Sequence, residues 1–159
     1  GRRWAADGAA ARILGNWQFN AIVLIRSGQP YTPTMGLDVA NIGTHSTRPN
    51  LVGNAVMANP VPEAWFNKSA YASPTVYNFG TAGRDQLRTD GYQNFDLSLF
   101  RQDNLTERVK LQLRVELFNA FNQPTFGTPQ TNFTNSRFGQ VSSTVSTARQ
   151  IQLGMKVLF

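Results

Sequence analysis

Cysteine is absent from the 159-residue chain, so the sequence offers neither a disulfide framework nor a thiolate metal site. Histidine occurs once, and we interpret His45 as a surface residue because a catalytic or metal-binding histidine needs partners that the nearby sequence lacks. Asp85 and Asp90 flank a loop, but their spacing matches no known calcium-binding loop. These features predict that the protein is not an enzyme and needs no metal ion or cofactor.

Charged residues are scarce, at 15% of the chain, where soluble domains average about 25%. The balance is basic, with a net charge of +6, yet the basic residues are scattered and only Arg2 and Arg3 are adjacent. This distribution argues against a nucleic-acid partner. No stretch approaches the roughly 20 apolar residues that a transmembrane helix needs, whereas the strands of a membrane barrel carry a much weaker signal.

The C-terminal residues 149–159 alternate between apolar and polar or small side chains, with Leu158 as the exception. The apolar positions are Ile151, Leu153, Met155, Val157 and Phe159. A period of two predicts a β-strand with one apolar face. The pattern resembles the closing strand of bacterial outer-membrane barrels, in which a terminal aromatic residue is recognised by the barrel-insertion machinery. We therefore predict that Phe159 is a barrel-insertion signal.

Three further segments predict strands, namely residues 17–27, 92–101 and 108–118. In the last of these, aliphatic residues at every second position from Val109 to Leu117 alternate with polar ones. Each segment has about ten residues, the length that a tilted strand needs to cross a bilayer. The predicted fold class is therefore all-β, with antiparallel up-and-down strands of a transmembrane β-barrel.

The predicted strands are connected by a long, a short and a second long segment. Residues 28–91 are interrupted by six prolines, residues 102–107 form a short polar turn, and residues 119–148 are long, with a possible short strand at 138–145. Outer-membrane barrels have short periplasmic turns and long extracellular loops. We therefore expect both long segments outside the cell, and the short turn and the C-terminus in the periplasm.

The alternation also predicts which side chains face the barrel lumen. The predicted lumen-facing residues are Asp96, Lys110, Arg114 and Glu116. If Leu99 lies opposite Leu111, antiparallel register places Asp96 opposite Arg114, where the two side chains can form a cross-strand ion pair. On the outward face, Trp17 and Phe159 are predicted to be anchors at the membrane interface.

The long segment 28–91 lacks the alternating pattern of a strand but contains several aromatic residues. The candidate ligand-binding residues are Trp65, Phe66, Tyr71, Tyr77 and Arg84. Two interpretations are open. The aromatic side chains pack this loop against itself or against the barrel rim, or they offer a stacking surface for a sugar, peptide or other ligand.

Four strands are too few to close a barrel, since about eight is the minimum. The chain begins at Gly1 without a signal peptide, so we expect residues 1–159 to be the C-terminal part of one larger barrel, with no second domain. Near the start, Arg2 to Trp4 are expected to end an earlier strand, Asp7-Gly8 to form a turn, and residues 9–14 to form a helical turn.

Several segments resemble the C-terminal end of TonB-dependent outer-membrane receptors, particularly the Oar-like group with an N-terminal carboxypeptidase-regulatory-like domain. These segments are residues 15–18 with 26–33, residues 65–67, 79–84, 87–88 and 94–99, and residues 114–124 with the terminal Phe159. The resemblance implies a closed barrel of about 22 strands with a plug, and uptake of an unidentified nutrient energised through TonB.

The partners implied by the resemblance are outer-membrane lipid and lipopolysaccharide, the barrel-insertion machinery, the nutrient, and TonB acting through an N-terminal plug that this sequence does not contain. Two alternatives remain open from the sequence. One is a passive outer-membrane porin or adhesin barrel. The other is a soluble β-sandwich binding module, which would not depend on detergent.

Overall fold

The computed structural model describes residues 14–159, so the strand end, the turn and most of the helical turn predicted near the N-terminus lie outside the described residues. The chain divides into two compact units. The sheet unit contains the chain up to Ile25 with Gln93–Gln123 and Thr147–Phe159, and the loop unit contains Arg26–Tyr92 and Pro124–Ser146. Within residues 14–159, no helix is long and apolar enough to cross a membrane.

Eight strands and one short 3₁₀ helix, Lys68–Ala70, make up the regular structure of the described residues. The strands are β1 (Trp17–Arg26), β2 (Pro30–Tyr31), β3 (Asn50–Leu51), β4 (Tyr71–Ala72), β5 (Leu87–Arg88), β6 (Tyr92–Asn104), β7 (Lys110–Phe118) and β8 (Gln150–Leu158). All four predicted long strands are present, with ends that differ from the prediction by up to three residues. The predicted strand at residues 138–145 is wrong, because that segment contributes only an isolated bridge between Phe126 and Thr144.

The four long strands form one sheet in the order β1-β6-β7-β8. β7 is antiparallel to both of its neighbours. Its Val115 lies opposite Leu99 of β6 on one side and opposite Leu153 of β8 on the other. Because side chains alternate along each strand, this register places odd-numbered residues of β6, β7 and β8 on one face and even-numbered residues on the other. The odd face of β7 and β8 is entirely apolar.

The predicted register between β6 and β7 is wrong by four residues. Leu111 lies opposite Asp103, not Leu99. The reason is local: β6 continues to Asn104, and the turn closes tightly when Leu105 N–H donates to Val109 O at 2.9 Å. The Thr106 hydroxyl also accepts from the backbone N–H of Val109 at 3.0 Å, a side-chain-to-backbone bond that favours turns.

The apolar face of the sheet is exposed to solvent in the described chain. Leu153 and Met155 on β8 are 76% and 73% exposed, and Phe19 on β1 is 64% exposed. Isolated apolar residues are normal on soluble surfaces, but a contiguous face of this kind marks a surface that contacts lipid or protein. The sheet therefore has a face that water does not stabilise.

The loop unit has the opposite character, because its aromatic side chains are buried together. Phe66 packs edge-to-face against Phe138 and Tyr71, with ring centroids 5.0 Å and 5.8 Å apart. Such pairs each contribute about 0.5–1.5 kcal/mol beyond area burial. Two short antiparallel pairs, β2 with β5 and β3 with β4, lie in this unit. The two long segments therefore share one core.

Candidate functional site

The polar face of the sheet unit contains the predicted lumen residues. Lys110, Arg114 and Glu116 are even-numbered residues of β7, and Asp96 has the same parity on β6, so the register places all four on one face. Gly154 of β8 lies opposite Arg114 and leaves space beside it. A cleft of about 270 Å³ opens there, lined by Gln112, Arg114, Gln152, Gly154, Met155 and Lys156.

The predicted ion pair between Asp96 and Arg114 is wrong, because Arg114 lies opposite Phe100. Its guanidinium carbon is 4.6 Å from the centre of the Phe100 ring, within the range of a cation–π contact. Arg114 Nη1 is also 3.8 Å from Glu116 Oε1. Asp96 has a different role, since its Oδ1 accepts a hydrogen bond from the Asn119 backbone N–H at 2.9 Å.

Asn119 is a structural residue at the end of β7 that the sequence analysis did not identify. Its backbone has a φ of 48°, a conformation in which asparagine is enriched among non-glycine residues. Its side-chain Nδ2 donates to Thr147 O at 2.8 Å and to Gln123 O at 3.2 Å. Asn122, also left-handed, accepts from Arg149 N–H at 3.0 Å. The pair of asparagines three residues apart after a strand was the available signal.

The aromatic ligand candidates are divided between the core and the surface of the loop unit. Phe66, Tyr71 and Trp65 are buried, and the Trp65 indole N–H donates to Arg88 O at 3.1 Å. Phe66 and Tyr71 therefore pack the loop and do not present an open stacking surface. Tyr77 and Arg84 are exposed at the surface of the loop unit.

A cleft of about 360 Å³ lies in the loop unit beside this aromatic core. It is lined by Tyr31, Val56, Met57, Pro60, Trp65, Phe66, Gln86, Leu87, Arg88, Thr89, Asp90 and Gly91. Tyr31 is 8% exposed, and its hydroxyl has no hydrogen-bond partner among residues 14–159. Burial raises the pKa of Tyr31 above its ordinary value, and the nearby Tyr71 raises it further.

Charged residues beside the cleft differ in how far they are engaged. Asp90 Oδ2 accepts from the Phe126 backbone N–H at 3.0 Å. Arg88 donates from Nη1 to Gly28 O at 3.0 Å, and no carboxylate among the described residues lies within 4.0 Å of its guanidinium. Arg88 is also exposed, so most of its donors are available to a solute.

A charged pair lies on the odd-numbered face of β6, at the end nearest the short turn. Arg101 Nε donates to Asp103 Oδ2 at 2.6 Å, and the Arg101 guanidinium carbon is 5.3 Å from the Trp17 ring. An aromatic ring beside charged groups is typical of a membrane–water interface, and the role of Trp17 as an interface anchor stays a prediction. Phe159, at the C-terminus, is fully exposed.

No group of three or more His, Cys, Asp or Glu side chains within residues 14–159 is arranged to hold a metal ion. The antiparallel sheet with one apolar and one polar face is typical of a membrane β-barrel wall. Residues 1–152 match the family model of the outer membrane beta barrel domain, and the chain belongs to this family. The protein is therefore an outer-membrane β-barrel protein. No curated protein and no solved structure matches the chain.

Proposed function

We propose that the chain is the C-terminal barrel segment of an Oar-like, TonB-dependent receptor that takes up a nutrient across the outer membrane. The resemblance of its segments to that group supports the proposal, as does the folded core in its long connections. We assign it no chemical reaction. Its proposed partners are outer-membrane lipid and lipopolysaccharide, the insertion machinery acting on Phe159, a nutrient ligand, and TonB through an N-terminal plug.

The observation that carries this proposal is that the connections between the long strands differ in structure. The connection between β6 and β7 is a tight turn, while those before β6 and after β7 contribute an aromatic core, two short strand pairs and a cleft. An inert loop needs no such core. A folded body with a cleft is suited to hold a solute before it enters a barrel.

The proposed orientation has both long connections outside the cell, and the turn between β6 and β7 and the C-terminus in the periplasm. Because cysteine is absent, single cysteines can be labelled without background. Ala58 is exposed in the loop unit and Glu107 is exposed in the turn. Asp103, which the sequence placed in the turn, lies in β6 and is unsuitable.

With an impermeant maleimide, Ala58→Cys should react on intact cells, and Glu107→Cys only after the outer membrane is permeabilised. Labelling of Glu107→Cys alone on intact cells would reverse the proposed orientation. Labelling of both variants to the same extent on intact cells would contradict a membrane-spanning arrangement of β6.

Energised uptake can be tested without knowing the nutrient. Cells that lack this gene should leave in a rich medium a set of compounds that wild-type cells remove. Cells that lack TonB should leave a second set, which overlaps the first. A TonB-dependent receptor requires the first set to lie within the second. If the compounds lost with this gene are still taken up without TonB, the protein is a passive channel and the proposal is wrong.

A further inference from the structure

We propose that the cleft beside Gly154, on the polar face of the sheet unit, binds the phosphate group of a small solute, either inorganic phosphate or a phosphate ester. The inference goes beyond the proposed function and rests on it only for the route by which a solute reaches this face. The volume of the cleft, about 270 Å³, lies just below the usual range for drug-sized ligands, so the bound group is small.

Gly154 is a glycine that the strand itself does not require. It lies in the middle of β8, and the pairing with β7 continues in register on both sides of it, without a bulge. Its φ is not positive, and an added Cβ would meet only Arg114 Cβ among the described residues, at an ordinary 3.7 Å. Glycine weakens a strand interior and often marks a place where a ligand approaches the backbone closely. The missing side chain therefore indicates space for a ligand.

The strand register places the polar groups of the cleft on one face. Gln152, Gly154 and Lys156 alternate along β8. On β7, Gln112 lies opposite Lys156, and Arg114 lies opposite Gly154. Because alternate positions of paired strands share a face, the four side chains stand on the same side of the sheet as the open position at Gly154. All of them line the cleft.

The lining of the cleft contains two cations and no carboxylate. Lys156 is exposed, and no carboxylate among residues 14–159 lies within 4.0 Å of its ammonium group. The Arg114 guanidinium packs on Phe100, which is on the β6 side and away from Gly154, so this long side chain borders the cleft without filling it. Glu116 is 3.8 Å from Arg114, beyond hydrogen-bond distance. The cleft therefore has an excess of positive charge.

The kinds of donor favour a phosphate group over a carboxylate. The cleft offers an ammonium group, a guanidinium and the amides of Gln112 and Gln152, contributed by two strands. A phosphate group has several acceptor oxygens in a tetrahedral arrangement, so it can accept from donors on different sides. A carboxylate is planar and is matched best by the fork of a single guanidinium. A neutral solute would leave the positive charge uncompensated.

The test is calorimetry on the complete barrel protein in detergent micelles, with inorganic phosphate and glycerol 3-phosphate as probes and glycerol as the uncharged match. Sodium chloride at physiological strength screens general charge attraction. We expect both phosphates to bind at least about tenfold more tightly than glycerol, because hydrogen bonds to charged groups are the stronger ones. Equal affinities would identify the phosphate group alone as the ligand, and tighter binding of the ester would identify a phosphate ester. Binding of neither phosphate, or equally tight binding of glycerol, would overturn the proposal.

Lys156→Gln tests the charge of the site and should weaken phosphate binding about tenfold or more. Lys110→Gln is the matched control, because Lys110 is an exposed lysine on the same face of the sheet that does not line the cleft. It should weaken binding by no more than about threefold, since a charge outside the site acts only through screened attraction. Equal losses in the two variants would show a general charge effect and contradict the site.

Gly154→Val tests the space without changing the charge. It should weaken phosphate binding about tenfold or more while the urea midpoint of unfolding stays unchanged or rises, because valine is favoured in strands. Gly154→Ala is the milder variant, whose Cβ makes only an ordinary contact with Arg114, and it provides the same readout if valine prevents folding. Unchanged affinity in a folded variant would overturn the proposal.

The site and the proposed function can fail separately. Phosphate binding that passes these tests, together with uptake that does not need TonB, would retain the site and reject energised transport. TonB-dependent uptake by a protein that does not bind phosphate would reject the site alone.

Discussion

The two units of the chain are stabilised in opposite ways. The sheet unit exposes an apolar face, and among residues 14–159 only its inner strands β6 and β7 are hydrogen-bonded to a long strand on both sides. The loop unit encloses an aromatic core around Phe66. The stability of the first must come from lipid and from neighbouring strands, since water does not favour its exposed face. The second can hold its shape from within. This contrast suits a protein whose sheet faces lipid while its loops form a separately stabilised body.

The largest expected effect tests the loop core. Phe66→Ala removes a side chain that is 1% exposed and contacts several aromatic rings, so it should destabilise the loop unit by about 3–5 kcal/mol. Limited proteolysis in rising urea should show early cleavage within residues 26–92, while the heat-modifiable gel shift of the barrel is retained.

Phe79→Ala is the matched control for the loop core, because Phe79 is 67% exposed and should change stability by no more than about 0.5 kcal/mol. Loss of the barrel gel shift in Phe66→Ala would show that the strands of the sheet unit depend on the loop core, whereas we expect the two units to be stabilised separately. Equal protease sensitivity in the two variants would argue that the aromatic cluster does not hold the loop together.

The next effect tests the sheet face. Leu153→Arg places a charge in the middle of β8 on the apolar face, which should cost about 2–4 kcal/mol in a lipid bilayer. In water the same change would be nearly neutral, because Leu153 is already 76% exposed. Urea unfolding from phospholipid vesicles measures the difference in free energy of unfolding.

Gln152→Arg is the control for the sheet face, since Gln152 is the neighbouring residue on the polar face and lies opposite Glu116. It should be tolerated, and an opposite-charge cross-strand pair can add a small gain. If Leu153→Arg and Gln152→Arg lower the free energy of unfolding equally, the apolar face does not contact lipid. The proposed source of stability for the sheet unit would then be wrong.

A smaller effect tests the end of β7, where the sheet unit depends on one side chain. Asn119→Ala removes the amide that donates to Thr147 O and Gln123 O and puts alanine at a φ of 48°. Leaving those carbonyls unpaired and straining the backbone should cost about 1–3 kcal/mol in the unfolding free energy. Asn119→Asp retains the shape but not the donors, so recovery of full stability with aspartate would assign the effect to shape alone.

The sequence predicted the sheet unit far better than the loop unit, for a physical reason. Alternation is a local signal, and Val109 to Leu117 carries it in full, so the strand and its faces could be predicted. Register depends on turn chemistry, and the bond from Val109 N–H to the Thr106 hydroxyl shifts it in a way that alternation does not encode. The predicted pairing of Asp96 with Arg114 failed for that reason.

The loop core and its cleft depend on contacts between residues far apart in the chain. Phe66 meets Phe138 across the sequence, and no periodic pattern marks either residue as buried. Packing of the loop against itself or the barrel rim was one of the two interpretations open for the aromatic cluster, and Phe66 and Tyr71 lie in a core that also includes Phe138 of the other long segment. The unpaired hydroxyl of Tyr31 and the free donors of Arg88 are properties of the folded loop, so sequence reasoning missed both.

The smallest effect concerns the pH dependence of the loop unit. Burial raises the pKa values of Tyr31 and Tyr71 above the ordinary value of 10.0, so both stay protonated in the folded protein at pH values where the unfolded chain begins to ionise. The folded state then binds more protons, and stability falls as pH rises above about 10. A single tyrosine contributes at most about 1.4 kcal/mol per pH unit. Tyr31→Phe should flatten this decline in urea-gradient proteolysis between pH 9 and pH 11. An equally steep decline in Tyr31→Phe would mean that the Tyr31 hydroxyl is not enclosed in solution.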